Sequence, residues 1–141
     1  MDKKVPLTVG LTAERNHTVE MKDTALACAG DAFQPVYSTP TLIGMLEDTS
    51  HDAIAACLEP GQSTVGTMVS MKHLAATPVG MKVRLRAELT EVNKRRLMFK
   101  IEAWDELDKI TEGTHERYII DNDKFAANFK AKCAKVNCGS N

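Results

Sequence analysis

The sequence predicts an α+β domain in which one long helix lies across a curled antiparallel sheet. Two observations carry that expectation. Residues 38–61 hold one helical stripe with a capping signal in front and a Pro-Gly stop behind, and residues 64–120 break into four alternating runs separated by turn signals. A chain of 141 residues is long enough to bury a core as one unit. We read 1–141 as a single domain, with a core of about 5–125 and a C-terminal helix and tail over 122–141.

Residues 5–20 form a first, weakly patterned strand. Residues 21–38, "MKDTALACAGDAFQPVYS", hold Gly30 and Pro35 and little periodicity, so they read as a long loop with room for a short helical turn. The helix follows in "STPTLIGMLEDTSHDAIAACLEPG": Ser38 or Thr39 caps it, Pro40 suits its first turn, and the Glu-Pro-Gly at 59–61 ends it. Leu42, Leu46, Ala53 and Cys57 make one apolar stripe, and Ile43, Glu47, Ser50 and Ile54 make the adjoining one. Glu47 therefore falls at the edge of the buried face.

Of the strand-like runs, 64–74 places Val65, Thr67, Val69, Met71 and His73 on one face. Residues 81–92 send Met81, Val83, Leu85, Ala87 and Leu89 inward and Lys82, Arg84, Arg86 and Glu88 outward. Residues 96–105 turn Leu97, Phe99, Ile101 and Ala103 inward, and "DELDK" at 105–109 makes the next turn. Residues 110–120 close a meander of antiparallel strands, with Gly113 as a bulge. One helix covers only part of such a sheet, and the uncovered edges favour a homodimer.

Composition excludes several function classes. A formal net charge of −1 gives no reason to expect a polyanion partner, and "NKRR" at 93–96 reads as a solvated turn. No run of about 18 apolar residues predicts a membrane-spanning helix. The first residues lack the apolar core of a signal peptide, so the expected compartment is the cytoplasm. Cys28, Cys57, Cys133 and Cys138 include no CxxC pair; we expect reduced thiols, no zinc site and no cofactor, with Cys57 a small core residue.

Three polar residues stand where apolar ones would be easier to bury: Thr39 at the helix start, Glu47 two turns on, and His73 at the end of the following strand. A carboxylate in an apolar setting serves as base or nucleophile, and a histidine donates to a carbonyl or moves a proton. A threonine hydroxyl orients both, and a helix N-terminus offers free N–H groups. The set suits attack on an activated acyl group. Each residue also has a plainer reading: Thr39 as N-cap, Glu47 paired with His51 four residues on, His73 as a core histidine. We assign His115, with Glu116 and Arg117, a structural role at a dimer interface, and leave His17 and His51 on the surface.

The stretches "GMLEDTSHDAI", "LEPGQSTVGT", "HLAATPVGMKVRLRAEL", "RRLMFKIEAWD" and "GTHERYIIDNDKF" carry a resemblance to the fluoroacetyl-CoA thioesterase family of hot-dog-fold proteins over roughly residues 35–125. The resemblance implies a hot-dog fold, a dimer, and hydrolysis of an acyl-CoA thioester without a metal. It implies a catalytic set of Thr39, Glu47 and His73: Glu47 as nucleophile or general base, His73 polarising the thioester or helping the thiolate leave, and Thr39 orienting Glu47 and the substrate. It further implies substrate contacts at Phe33, Gly66 and Arg117, and CoA along the dimer interface with its phosphates near Lys72, Arg95 and Arg96. The fluoroacetyl-specific member has two lid phenylalanines before the helix. Here Phe33 stands at one place and Gly30 at the other, so the implied substrate is a short or medium acyl-CoA whose acyl group stays open.

Two readings from other classes compete. The helix offers Asp48, His51 and Asp52, a set that would suit a hot-dog hydratase or dehydratase. A non-catalytic acyl-CoA binding protein would keep the fold and turn nothing over.

Overall fold

The computed structural model describes residues 5–30 and 34–136. Strand β1 (Thr12–Thr18) leads through a 3-10 turn at Met21–Asp23 and a short α1 (Ala25–Ala29) to the long helix α2 (Thr39–Ile54). Then come β2 (Gln62–His73), β3 (Lys82–Asn93), β4 (Arg96–Trp104), β5 (Lys109–Asp121) and α3 (Asn122–Lys135). The segment read as a long loop thus contains two short helical turns, and the first strand is shorter than expected, because a turn at Gly10 (φ +103°) precedes it.

Helix α2 begins as its sequence requires. The Ser38 side chain accepts a hydrogen bond from the Thr41 backbone N–H at 3.2 Å, and Pro40 sits in the first turn, where no N–H is needed. Its buried face presents Leu42, Leu46 and Ile54. Two hydroxyls are buried with them, and each is satisfied within the helix: Thr49 donates to the Met45 carbonyl and Ser50 to that of Leu46.

The sheet is antiparallel with the order β1-β3-β4-β5-β2. The expected alternation holds on β3 and β4: Val83, Leu85, Ala87, Leu89, Leu97, Phe99, Ile101 and Ala103 are all buried beneath α2. Burying each large side chain among them contributes about 1.5–3 kcal/mol relative to leaving it exposed. A two-residue turn joins these strands, with Lys94 at φ +58° in the left-handed region that such hairpins use. The Asp105 carboxylate makes the next turn by accepting the N–H groups of Leu107 and Asp108.

The expectation of a simple meander fails at β2. This strand crosses over and pairs with β5, leaving β2 and β1 as the two edges. Gly113 is not a bulge either. It pairs regularly with Met71 and Ile101, and a Cβ there would collide with the Ser70 carbonyl oxygen, so the glycine permits close strand approach. The β2–β5 irregularity lies between Gly66 and Met68.

The sheet's outer face is a charge ladder. Glu102 is only 8% exposed, and Arg86, Lys100 and Lys109 all pair with it. Arg84 stacks over Trp104 at 4.3 Å. No described helix is long and apolar enough to cross a membrane.

Candidate active site

Because Ser38 takes the cap, the Thr39 hydroxyl is left for another partner. It pairs with Nδ1 of His73 at 2.7 Å, across from the helix start to the strand end. Nε2 of His73 is buried and has no hydrogen-bond partner, and burial pushes the imidazole below its ordinary range. When the threonine hydroxyl donates to Nδ1, the neutral ring carries its proton on Nε2 and presents it as a donor. The pair stands beside a cleft of about 420 Å3 with Ala25, Val36, Leu74, Ala75 and Ala76 in its wall.

Glu47 lies two turns further along α2, about 12 Å by helix rise. Helix and β2 run in opposite directions, so Glu47 meets the other half of β2. A Cβ on Gly66 would stand 2.7 Å from Glu47 Oε1, 3.2 Å from His115 and 3.3 Å from Arg117 Nη1. Only a glycine leaves that space open.

Around this point the side chains form a connected chain. Arg117 donates from Nε to Thr64 Oγ1 at 2.8 Å, from Nη2 to the Thr64 carbonyl at 2.9 Å, and from Nη1 to Nε2 of His115 at 3.2 Å. His115 Nδ1 donates to the Met68 carbonyl at 2.7 Å. Those partners fix its state, since a carbonyl only accepts and a guanidinium only donates: His115 is neutral with its proton on Nδ1. Burial, opposed by the Met68 carbonyl and reinforced by Arg117, holds its pKa down. On the helix side, His51 Nδ1 meets Thr64 Oγ1 at 2.7 Å, and burial followed by Arg117 lowers its pKa. Burial also lowers that of Arg117, against the pull of Glu47 and Asp48.

The structure thus brings Thr39 to His73, and Glu47 to Gly66 and Arg117. Among the described residues, no hydrogen bond or ion pair within one chain joins these two groups. Phe33 lies outside the described residues. His115 is fully buried within its own chain, which corrects its assignment to an interface. His51 and His17 are not surface residues: both are half-buried, His51 on Thr64 and His17 on Asp23 at 2.6 Å. A helix position one turn past Glu47, followed by a threonine early in the next strand, was the signal available for His51.

Asp48 is exposed and Asp52 is tied to Arg15 at 2.6 Å, so the acidic groups of the hydratase reading do not converge with His51. Arg95 pairs with Asp121, and Arg96 with Glu91 and Glu116, whereas Lys72 is exposed along β2. His17, Glu20 and Asp23 have metal-like spacing, but their contacts form a local cap: His17 and the Glu20 N–H both bond to Asp23 Oδ2.

Comparison with known proteins gives the family and the fold. The family described as FlK, fluoroacetyl-CoA-specific thioesterase, matches residues 19–123. The fluoroacetyl-CoA thioesterase of Streptantibioticus cattleyicolor is 41% identical over 100 residues, 71% of this chain and 72% of that protein. A solved structure of fluoroacetyl-CoA thioesterase FlK superposes with a TM-score of 0.85 at 34% identity, covering 91% of this chain and 98% of the other. A Thermus thermophilus hypothetical protein of the thioesterase superfamily gives a TM-score of 0.86 at 27% identity, covering 94% and 98%. A helix over an open five-stranded antiparallel sheet is the hot-dog fold, and the chain belongs to the fluoroacetyl-CoA-specific thioesterase family of acyl-CoA thioester hydrolases.

Proposed function

We propose that the chain hydrolyses a short or medium acyl-CoA, with Thr39, Glu47 and His73 as its catalytic set, Phe33, Gly66 and Arg117 contacting substrate, and a homodimer as the working form. The observation that carries this reading is the buried, unpartnered Nε2 of His73, whose Nδ1 is already held by Thr39. A buried polar atom without a partner costs free energy unless a ligand meets it. A thioester oxygen is such a ligand. Nε2–H then stabilises the charge that develops on that oxygen as the carbonyl carbon becomes tetrahedral.

Glu47 supplies the attacking group. It either takes a proton from water as the water oxygen bonds to the carbonyl carbon, or attacks directly and forms an anhydride that water opens. In both routes the C–S bond breaks and the CoA thiolate leaves. The missing side chain at Gly66 is what lets the thioester approach Glu47. Lys72, free of the internal ion pairs that occupy Arg95 and Arg96, is the best placed of the three basic candidates to meet a CoA phosphate.

The dimer follows from the sheet edge. Strand β2 is twelve residues long and presents an edge with Gly66, Thr67, Met68 and Ser70 exposed. Antiparallel pairing of two such edges about Val69 and Ser70 sets the His73 end of one strand beside the Gly66 end of its partner. The two half-sites that one chain keeps apart then meet. The expected compartment is the cytoplasm, where acyl-CoA esters and reduced thiols such as exposed Cys28 coexist.

Thiol release from acetyl- to octanoyl-CoA and fluoroacetyl-CoA tests the reading on wild type, His73→Ala and Glu47→Gln. Release that falls by 100-fold or more in both variants supports it. Tight CoA binding with no release from any substrate would overturn it in favour of a binding protein.

A further inference from the structure

Three of the five N–H groups of Arg117 are taken by Thr64 and His115, although the Arg117 and Glu47 side chains flank the same point above Gly66. No ion pair joins them, yet an arginine beside a carboxylate ordinarily makes a bidentate one. What prevents it is visible. Thr64 holds Nε and Nη2, and His115 holds Nη1. His115 is in turn anchored to the Met68 carbonyl, at the irregularity between Gly66 and Met68, and Thr64 is anchored by His51.

We propose that His51, Thr64 and His115 are positioning residues that restrain Arg117 from pairing with Glu47, so that the carboxylate feels the positive charge without being capped by it. This rests on the reading of Glu47 as the attacking group. A carboxylate locked in a bidentate arginine pair is a poor base and a poor nucleophile, because its lone pairs are engaged and its proton affinity falls. A carboxylate near a restrained guanidinium keeps those lone pairs for the reaction. The geometry is specific in its chemistry, since each position needs a particular donor or acceptor. His115 must be neutral and accept at Nε2, which its contact with Met68 enforces. Thr64 must offer both a hydroxyl and a carbonyl oxygen.

The charged and titratable groups that meet Glu47 around Gly66 are Arg117 and His115, both on β5. Asp48 and His51, on the same helix as Glu47, act on Arg117. Glu116 is turned away to Thr67 and Arg96. Strand β2 contributes Gly66 and no charge there.

The test removes the acceptor and reads Glu47 directly. His115→Leu releases Nη1, and His115→Gln offers a carbonyl oxygen to Arg117 and an amide N–H to Met68. The 13C shift of the Glu47 carboxylate is titrated in wild type and both variants, alongside pH profiles of kcat and kcat/KM. We expect the Leu variant to titrate about one pH unit or more lower and lose at least tenfold in kcat with KM within about twofold, and the Gln variant to recover most of both. Where His115→Leu fails to fold, Thr64→Val carries the same test. A Glu47 titration unchanged in a folded variant overturns the proposal. Glu47→Gln run in parallel separates the two readings: undiminished turnover there removes Glu47 from the chemistry, while the carboxylate titration still decides whether Arg117 is restrained.

Discussion

His51, His73 and His115 share one property: burial makes each harder to protonate than in an unfolded chain. The sign of the consequence is definite. Above the ordinary histidine value of 6.5 all three are neutral in both states, and they favour neither. Below it the unfolded chain takes up protons that the folded chain refuses, so stability is lost as pH falls from 6.5 toward the lowered native values. The depressed carboxylates, Asp23, Asp105, Glu112 and Glu116, act only lower, below about 4 to 4.5. Urea unfolding at pH 7.5 and pH 5.5 should therefore give a lower midpoint at the acid value, and His115→Gln should flatten the difference. Equal midpoints would mean that these rings are hydrated in the native state. The same neutrality lets His73 donate from Nε2 at neutral pH without carrying a charge.

Two glycines on paired strands separate stability from function at the scale of the element. Gly113 lets β5 approach β2, and its replacement by Ala drives a Cβ into backbone, which cannot move away cheaply. We expect Gly113→Ala to destabilise by about 1–3 kcal/mol or more, visible as a fall of several degrees in Tm. Gly66→Ala meets instead the far end of Glu47, a flexible side chain that can turn aside. It should leave Tm nearly unchanged and cut kcat, because in the proposed mechanism the turned carboxylate is the attacking group. Reversed outcomes would show that Gly66 has a backbone role only. These elements also show what local pattern can and cannot reveal. The alternation on β3 and β4 and the helical stripe with its cap are legible because each follows from one element's own periodicity. The place of β2 is not, since a Pro-Val-Gly turn before β3 reads as a hairpin, and only pairing with a strand some fifty residues away decides otherwise. Thr39 and His73 were legible as polar residues standing at the ends of consecutive elements, and the structure pairs them. The Thr64–Arg117–His115 chain was not, because it is assembled by the β2–β5 pairing that local sequence leaves open.

At the scale of the whole molecule, the separation of Thr39–His73 from Glu47–Gly66 within one chain has a consequence that mixing experiments can read. In a dimer joined through the β2 edges, each complete site takes His73 from one protomer and Glu47 from the other. His73→Ala and Glu47→Gln homodimers are then both inactive for different reasons. In a heterodimer of the two, one site holds both defects and the other holds neither. Random reassembly of equal amounts makes half the molecules heterodimers, so about a quarter of the wild-type rate should return. Sites complete within one chain would return nothing, because every protomer in the mixture carries one defect. The measurement is thiol release after the two variants are co-unfolded and refolded together, with each refolded alone as the baseline. Recovery near a quarter would establish that an intact site draws on two chains. No recovery, with heterodimers confirmed by mass, would return the reaction to a single chain and require α2 or β2 to move before Glu47 reaches the thioester held by His73.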